Sequence, residues 1–291
     1  MSDPVPLGRI GGRLRPTPPG ARLSGVVGAT TAETAAWAGD AGATPYAHAA
    51  DLARAVRVVA VESAPEARAA DVRAALGHGA DVYVAWPPAA SVAEAEGIAR
   101  RAEEAGAEVA VERPLPLAAV VAARPEGWAA QMVAVDLAGA DPTEGLDLPW
   151  ARRLAGALDA VMALVRSGAV AHLHAQADRD GPRLRAVLAS LRFRSGAYAH
   201  LGVREEAEGW PPSTRLAASG GGVRLSARSL RGPVCVEGAG AVPEPPATGL
   251  AAFVEAVAAG RLPASGPGAL ALADAVALMR LTERLMGELR G

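Results

Sequence analysis

The first half of the chain alternates short apolar, β-branched runs with longer segments typical of helices. Val82–Ala85 is one such run and predicts a buried strand, whereas Val92–Ala105 predicts a helix. Ser91 and Glu94 have the spacing of a capping box at the start of this helix. Because strands and helices alternate in this way, we predict a parallel, doubly wound sheet over residues 1–113.

The pattern changes after Pro114. Leu148–Val165 has apolar residues at helical spacing. Several strand-like runs then follow one another, at Val170–Ala177, Arg183–Phe193, Ala197–Arg204, Thr214–Ala218, Val223–Arg228 and Pro233–Glu237. Consecutive strands form a largely antiparallel sheet, so we predict an α+β domain over residues 114–291. It should end in two helices, Leu250–Ala259 and Ala269–Leu289. The predicted fold class is therefore α/β, with a parallel N-terminal sheet and an open, largely antiparallel C-terminal sheet.

Composition and charge narrow the classes of function. Lys+Arg number 29 and Asp+Glu 31, so a net charge of −2 gives no basis for binding nucleic acid or an anionic membrane. All of the Lys+Arg residues are arginine, so no step can use a lysine amine as acid, base or Schiff-base former. The single Cys235 excludes an internal disulfide. With no signal pattern and no apolar run of the ~20 residues that span a bilayer, we expect a cytoplasmic protein.

Two histidines raise the question of a metal. His172 and His174 alternate along one predicted strand and so share a face. A metal site needs three or four ligands, and no third ligand is evident. We therefore predict two histidines on a sheet surface and no metal site.

Four stretches together resemble one known family in their order and spacing. They are Ala21–Val27 as a second strand, Gly79–Pro87 as a strand entering a turn, Leu191–Ala197 as a sheet hairpin, and Leu250–Val257 as a late helix. On these stretches the chain resembles the Gfo/Idh/MocA family of NAD(P)-dependent oxidoreductases. The resemblance implies a Rossmann-like dinucleotide-binding domain at residues 1–113 and an oxidoreductase C-terminal-like domain at residues 114–291. It also implies that one face of the second sheet serves subunit assembly.

The cofactor-binding positions depart from the family's pattern. By resemblance, Gly11 stands at the first glycine of the phosphate-binding turn and Arg13 where the second should be, so Gly11, Gly12 and Arg13 are remnants of that turn. Arg13 and Arg15 could instead grip a phosphate directly. Gly28 stands where an acidic residue normally bonds the ribose hydroxyls. We therefore predict no cofactor.

The catalytic turn is also altered. By resemblance, Ala85-Trp86-Pro87 stands at the family's Glu-Lys-Pro, with Trp86 at the lysine. An indole has an N–H donor but no proton that exchanges near neutral pH. Trp86 is therefore interpreted either as a packed plug or as a stacking platform for a ligand, while Pro87 keeps the backbone turn.

Two acids remain as candidates. Leu158 stands at the position of the family's histidine, and Asp159 beside it is either a remnant or a solvated helix residue. Glu62 ends a predicted strand and is either an isolated functional acid or a cap for the next helix. We predict no catalytic residue, with Glu62, Trp86, Pro87 and Asp159 as candidates to line a former active-site cleft.

Two hypotheses of different class follow. The first is a degenerate, non-catalytic family member that acts as a binding or partner subunit, as a homo-oligomer or together with an active homologue. The alternative is an active NAD(P)-dependent oxidoreductase, or a lyase or isomerase, with a rebuilt site and a sugar-like or small polar substrate. Binding of the dinucleotide discriminates between them.

Overall fold

A computed structural model describes residues 3–12, 16–115, 118–138, 150–166, 169–205, 213–228, 234–237, 249–260, 266 and 268–290. The chain forms two compact units. The first is Met1–Arg113 with Ala247–Val276, and the second is Pro114–Pro246 with Ala277–Gly291.

The helices and strands follow the predicted order. The strands are β1 (Val5–Ile10), β2 (Ala21–Val27), β3 (Thr44–Pro45), β4 (Val58–Val61), β5 (Asp81–Val84), β6 (Val109–Glu112), β7 (Met132–Ala138), β8 (Val170–Asp180), β9 (Arg183–Phe193), β10 (Tyr198–Arg204), β11 (Ser213–Gly220), β12 (Val223–Ala227), β13 (Val234–Glu237) and β14 (Ala269–Ala271). The helices are α1 (Thr31–Ala41), α2 (Ala49–Ala55), α3 (Pro65–Leu76), α4 (Val92–Ala105), α5 (Ala118–Ala122), α6 (Trp150–Val165), α7 (Gly249–Ala258) and α8 (Leu272–Glu288).

The sheet of the first unit is doubly wound. Its strand order in the described residues is β14-β6-β5-β4-β1-β2-β3, and all its neighbours are parallel except β14, which is antiparallel to β6. The order reverses at β1, which has β2 on one side and β4 on the other. The loops after β1 and β4 therefore diverge, and ligands of such sheets bind in the crevice that this leaves at the carboxyl ends of the strands. This arrangement confirms the predicted α/β class.

Small residues let helices pack closely on the central strands. A Cβ at Gly8 of β1 would lie 2.8 Å from Leu52 Cγ, and one at Gly25 of β2 would lie 2.6 Å from Leu52 Cδ1. Leu52 of α2 is fully buried there. Glycine at these two positions thus fixes how closely α2 approaches the sheet.

The opposite face of this sheet is covered by a late part of the chain. Phe253 of α7 packs on Tyr83 of β5 with ring centroids 5.9 Å apart, within a buried cluster that includes Leu7. This packing explains why Ala247–Val276 belongs to the first unit, a difference from the predicted domain 114–291. A second difference is that Ala269–Ala271, predicted as the start of the last helix, pairs with β6 as a strand. It satisfies backbone groups that an edge strand would otherwise expose.

The sheet of the second unit is mainly antiparallel, as predicted. Its strand order in the described residues is β13-β12-β11-β7-β10-β9-β8, and only β7 and β10 are parallel. Helix α6 buries the predicted apolar stripe of Leu154, Leu158, Val161 and Val165. The large side chains left exposed in the described residues, Met132, Leu188 and Tyr198, belong to β7, β9 and β10 of this sheet.

None of the helices in the described part of the chain has the length and apolar character needed to cross a membrane.

Candidate functional site

Two consecutive glycines form the turn after β1. Gly11 and Gly12 have φ angles of +67° and +74°, which only glycine adopts without strain. The Gly11 N–H donates to Val27 O at 2.8 Å. A Cβ at Gly11 would lie 2.6 Å from Ser63 Cα, so the turn has no room for a side chain. Arg13 and Arg15, proposed as phosphate contacts, lie outside the described residues.

Glu62 lies directly against this turn. It follows β4, and its N–H donates to Ile10 O at 2.8 Å. A Cβ at Gly12 would lie 2.5 Å from Glu62 Oε2, so the carboxylate stands beside the backbone of the turn. Ala64, two residues after Glu62, is the N-cap of α3. The structure thus brings two of the predicted positions, Gly12 and Glu62, together.

The loop after β2 is closed by side chains of α1. Thr30 is the N-cap of α1, and its Oγ1 accepts the Glu33 N–H at 3.2 Å. The Glu33 carboxylate reaches back, and its Oε2 accepts the Ala29 N–H at 2.7 Å. Thr34 Oγ1 accepts the Gly28 N–H at 2.8 Å. Each of these backbone donors therefore already has an acceptor within the chain.

The same packing explains why residue 28 is a glycine. A Cβ at this position would lie 2.8 Å from Thr34 N and 3.1 Å from the Glu33 Cβ and Cγ atoms. The Glu33 side chain occupies the space into which a side chain of residue 28 would extend. The structure places a carboxylate beside this position, because the Glu33 side chain returns from the first turn of α1 to the loop after β2. The capping-box spacing of Thr30 and Glu33 is the sequence signal that could have revealed it.

Trp86 and Pro87 follow β5, and the peptide bond between them is cis. The Trp86 side chain is only 4% exposed, whereas Pro87 is half-buried. This burial supports the packed-plug interpretation of Trp86 over the open stacking platform.

Arg68 links two loops of the site and was missed by sequence reasoning. It lies on α3, is 6% exposed, and its guanidinium donates to Ser63 O at 2.9 Å, to Ala85 O at 3.3 Å and to Pro87 O. One side chain thus ties the loop after β4 to the loop after β5. The sequence signal that could have revealed Arg68 is its spacing from Val72. The two residues are four positions apart and so share the inner, buried face of the helix.

The remaining candidates lie in the second unit. Asp159 of α6 is 2% exposed, so the interpretation as a solvated helix residue is wrong: the wide apolar face of α6 includes this position. Leu158, at the family's histidine position, is fully buried. His172 and His174 are exposed on β8, as predicted. No group of three or more potential metal ligands occurs among the residues that the structure describes.

The first unit defines a class of protein. A parallel sheet of order 3-2-1-4-5-6 with a glycine turn after its first strand is a dinucleotide-binding fold. Residues 9–113 match the Gfo/Idh/MocA model, described as an oxidoreductase family with an NAD-binding Rossmann fold. This match confirms the resemblance over the N-terminal part of the chain.

Several solved structures share the fold over the whole chain. UDP-N-acetylglucosamine 3-dehydrogenase from Acidithiobacillus ferrooxidans is 16% identical, with 99% of this chain and 98% of that chain covered and a TM-score of 0.81. Biliverdin reductase from Synechocystis, in complex with biliverdin and NADP+, is 17% identical, with 99% and 100% covered and a TM-score of 0.69. An oxidoreductase from Agrobacterium radiobacter, in complex with NAD+, L-tartaric acid and magnesium, is 14% identical, with 98% and 96% covered and a TM-score of 0.73. No curated protein matches the chain by sequence.

The comparisons with known proteins correct the cofactor prediction and bear on the choice between the two function hypotheses. The prediction that the chain has no cofactor is wrong, because the family model that residues 9–113 match is that of an NAD-binding Rossmann fold. The findings also favour the alternative of an NAD(P)-dependent oxidoreductase over a non-catalytic subunit.

Proposed function

We propose that the chain is an NAD(P)-dependent oxidoreductase that acts on a hydroxyl or carbonyl group of a sugar-like or other small polar substrate. The observation that carries the proposal is the turn of Gly11 and Gly12 at the point where the strand order reverses. That point is where a doubly wound sheet binds a dinucleotide. A cytoplasmic location stays a prediction from the sequence.

The described residues fit a dinucleotide at this edge of the sheet. Gly11 and Gly12 give the chain the tight glycine turn after β1 that a dinucleotide-binding sheet places beside the pyrophosphate. Glu33 supplies a carboxylate at the end of β2, where a ribose hydroxyl needs an acceptor. These features support binding of the adenosine and pyrophosphate parts of the cofactor.

The bound nicotinamide would supply or accept a hydride, and the chain must then hold or move a proton. Trp86 cannot do this, because an indole does not titrate near neutral pH. We propose Glu62 for this role. Its carboxylate lies against the turn of Gly12, at the same edge of the sheet, and the residue is only half-buried. A carboxylate there can accept the proton of a substrate hydroxyl if it comes within hydrogen-bond reach.

Calorimetric titration with NADH and NADPH tests the proposal first. We expect a Kd of about 1 to 100 µM for at least one of them, which is roughly −8 to −5.5 kcal/mol. Binding of neither at 1 mM would contradict the proposal. Turnover is then sought with a panel of polyols, sugars and nucleotide sugars by following absorbance of the reduced nicotinamide.

Glu62→Gln separates proton transfer from binding. The variant should lower kcat by about 100-fold or more, since a positioned acid or base contributes at least that much. It should not weaken NADH binding, because it removes a negative charge from beside the glycine turn. Glu66→Gln is the matched control, since Glu66 is an exposed glutamate in the first turn of α3. Equal kcat values for the two variants would rule out Glu62 as the proton-transfer group.

A further inference from the structure

We infer that Glu33 makes the site selective for NAD(H) against NADP(H). The inference rests on the proposed function and adds the residue that distinguishes the two cofactors. It concerns the adenosine ribose, whose 2′-hydroxyl in NAD(H) is a 2′-phosphate in NADP(H).

The position of the Glu33 carboxylate is the first step. The side chain leaves the first turn of α1 and bends back to the loop after β2, where its Oε2 lies 2.7 Å from Ala29 N. Its Cβ and Cγ lie 3.1 Å from the place where a side chain of Gly28 would begin. The carboxylate therefore stands at the carboxyl end of β2, which is the place where dinucleotide-binding sheets contact the adenosine ribose. A carboxylate has acceptor sites for several hydrogen bonds, so Glu33 can accept one from a ribose hydroxyl as well as from Ala29.

The donors of the loop are the second step. A 2′-phosphate needs N–H or O–H donors, and the start of a helix is the usual source of them. Here the Ala29 N–H is bonded to Glu33, the Glu33 N–H to Thr30 Oγ1, and the Gly28 N–H to Thr34 Oγ1. The Thr34 hydroxyl hydrogen is also used, because Thr34 Oγ1 donates to Thr30 O at 2.9 Å. A phosphate that took any of these donors would have to break a bond that already exists.

Charge is the third step. The loop of residues 28–32 is Gly-Ala-Thr-Thr-Ala and has no cationic side chain. A 2′-phosphate adds negative charge, and beside the Glu33 carboxylate that charge is repelled. Two like unit charges at about 4 Å repel by an amount that corresponds to a change in Kd of roughly fivefold in water and more at a partly buried site. The same carboxylate that accepts a ribose hydroxyl thus excludes the phosphate.

The test uses two ligands that isolate the adenosine half of the cofactor. ADP-ribose and its 2′-phosphate are titrated into the full chain by calorimetry, so that neither hydride transfer nor substrate is involved. We expect ADP-ribose to bind about 30-fold more tightly or better.

Glu33→Gln removes the charge and can keep the bond to Ala29, because the glutamine oxygen still accepts. This variant should bind 2′-phospho-ADP-ribose more tightly and reduce the preference to about threefold or less. Glu94→Gln is the control, because Glu94 holds the same capping-box position in α4 and its N–H bonds Ser91 Oγ at 3.2 Å, as that of Glu33 bonds Thr30. It should leave the preference as in the unchanged protein.

The outcomes distinguish the inference from the function on which it rests. Equal affinity of the unchanged protein for the two ligands, or an unaltered preference in Glu33→Gln, overturns the role of Glu33 and leaves the oxidoreductase proposal standing. Absence of binding for both ligands and for NADH overturns both.

Discussion

Replacing Arg68 with methionine should destabilise the first unit by about 3 kcal/mol. Methionine keeps much of the apolar stem of the buried arginine but donates no hydrogen bond. The guanidinium now donates to the carbonyl groups of Ser63, Ala85 and Pro87. A buried carbonyl that loses its donor costs about 1–3 kcal/mol. Ala85 is buried and should lose the full amount, whereas Ser63 and Pro87 are half-buried and regain part of theirs from water.

The change is measured as the free energy of unfolding in urea. Arg73→Met is the matched control, because Arg73 is an exposed arginine of the same helix and its loss should change stability by less than about 0.5 kcal/mol. Arg68→Lys should fall between the two, since an ammonium keeps the charge but cannot reproduce the fork of the guanidinium. If Arg68→Met and Arg73→Met unfold at the same urea concentration, the loops after β4 and β5 do not depend on Arg68 and the reasoning fails.

Three further predictions follow from burial and surface. Trp86→Ala should lower the free energy of unfolding by about 3–5 kcal/mol, the usual cost of deleting a buried aromatic ring; an unchanged melting temperature would instead indicate an open ligand platform. Burial, and secondarily the charge of Asp81, raises the pKa of Glu108, so its ionisation in the folded state is disfavoured. Stability should therefore fall as pH rises through the range where Glu108 ionises, and Glu108→Gln should raise the melting temperature at pH 7 but not at pH 3. We also propose that the face of the second sheet with exposed Leu188 and Tyr198 forms a homo-oligomer, because an exposed apolar patch marks an interface. Leu188→Glu should then reduce the mass found by light scattering towards that of a single chain, and a monomeric unchanged protein that captures a homologue would point to a hetero-oligomer.

Elements with local signals were predicted from the sequence. Helix α3, Pro65–Leu76, carries such signals, because proline at its start and glycine after its end mark both termini. The capping box of Ser91 and Glu94 opens α4 as predicted, with the Glu94 N–H bonded to Ser91 Oγ at 3.2 Å. These signals lie within a few residues of the structure they determine.

Elements that depend on distant partners were not predicted. Ala269–Ala271 consists of good helix formers, yet it forms a strand because the edge of β6 offers unpaired backbone groups. Asp159 was interpreted as solvated because it is charged, yet the packing of α6 buries it. No pattern within a single segment carries this information.

The site shows the same division between local and distant determinants. A comparison position by position finds glycine at residue 28 and concludes that the acid is lost. The physical requirement is an acceptor at the end of β2, and we propose that Glu33 meets it from five residues further on, where its carboxylate bonds Ala29 N. A missing side chain at one position is therefore weak grounds for a missing function, whenever a neighbouring element can reach the same place.

The effects of Glu33 and Glu62 on the enzyme should be separable. Glu33 lies beside the end of β2 and Glu62 directly follows β4, and these two strands flank β1 on opposite sides. If both act as proposed, Glu33→Gln changes the affinity for the adenosine half of the cofactor and leaves kcat at saturating cofactor unaltered. Glu62→Gln does the reverse, and the double variant shows both changes with no extra loss, because groups without shared partners contribute additively. Steady-state kinetics at saturating NADH, combined with calorimetry, measures the two effects independently. A chain in which Glu62→Gln altered ligand affinity but no substrate was ever turned over would be a cofactor-binding subunit, and the oxidoreductase proposal would fall while the selectivity assigned to Glu33 remained.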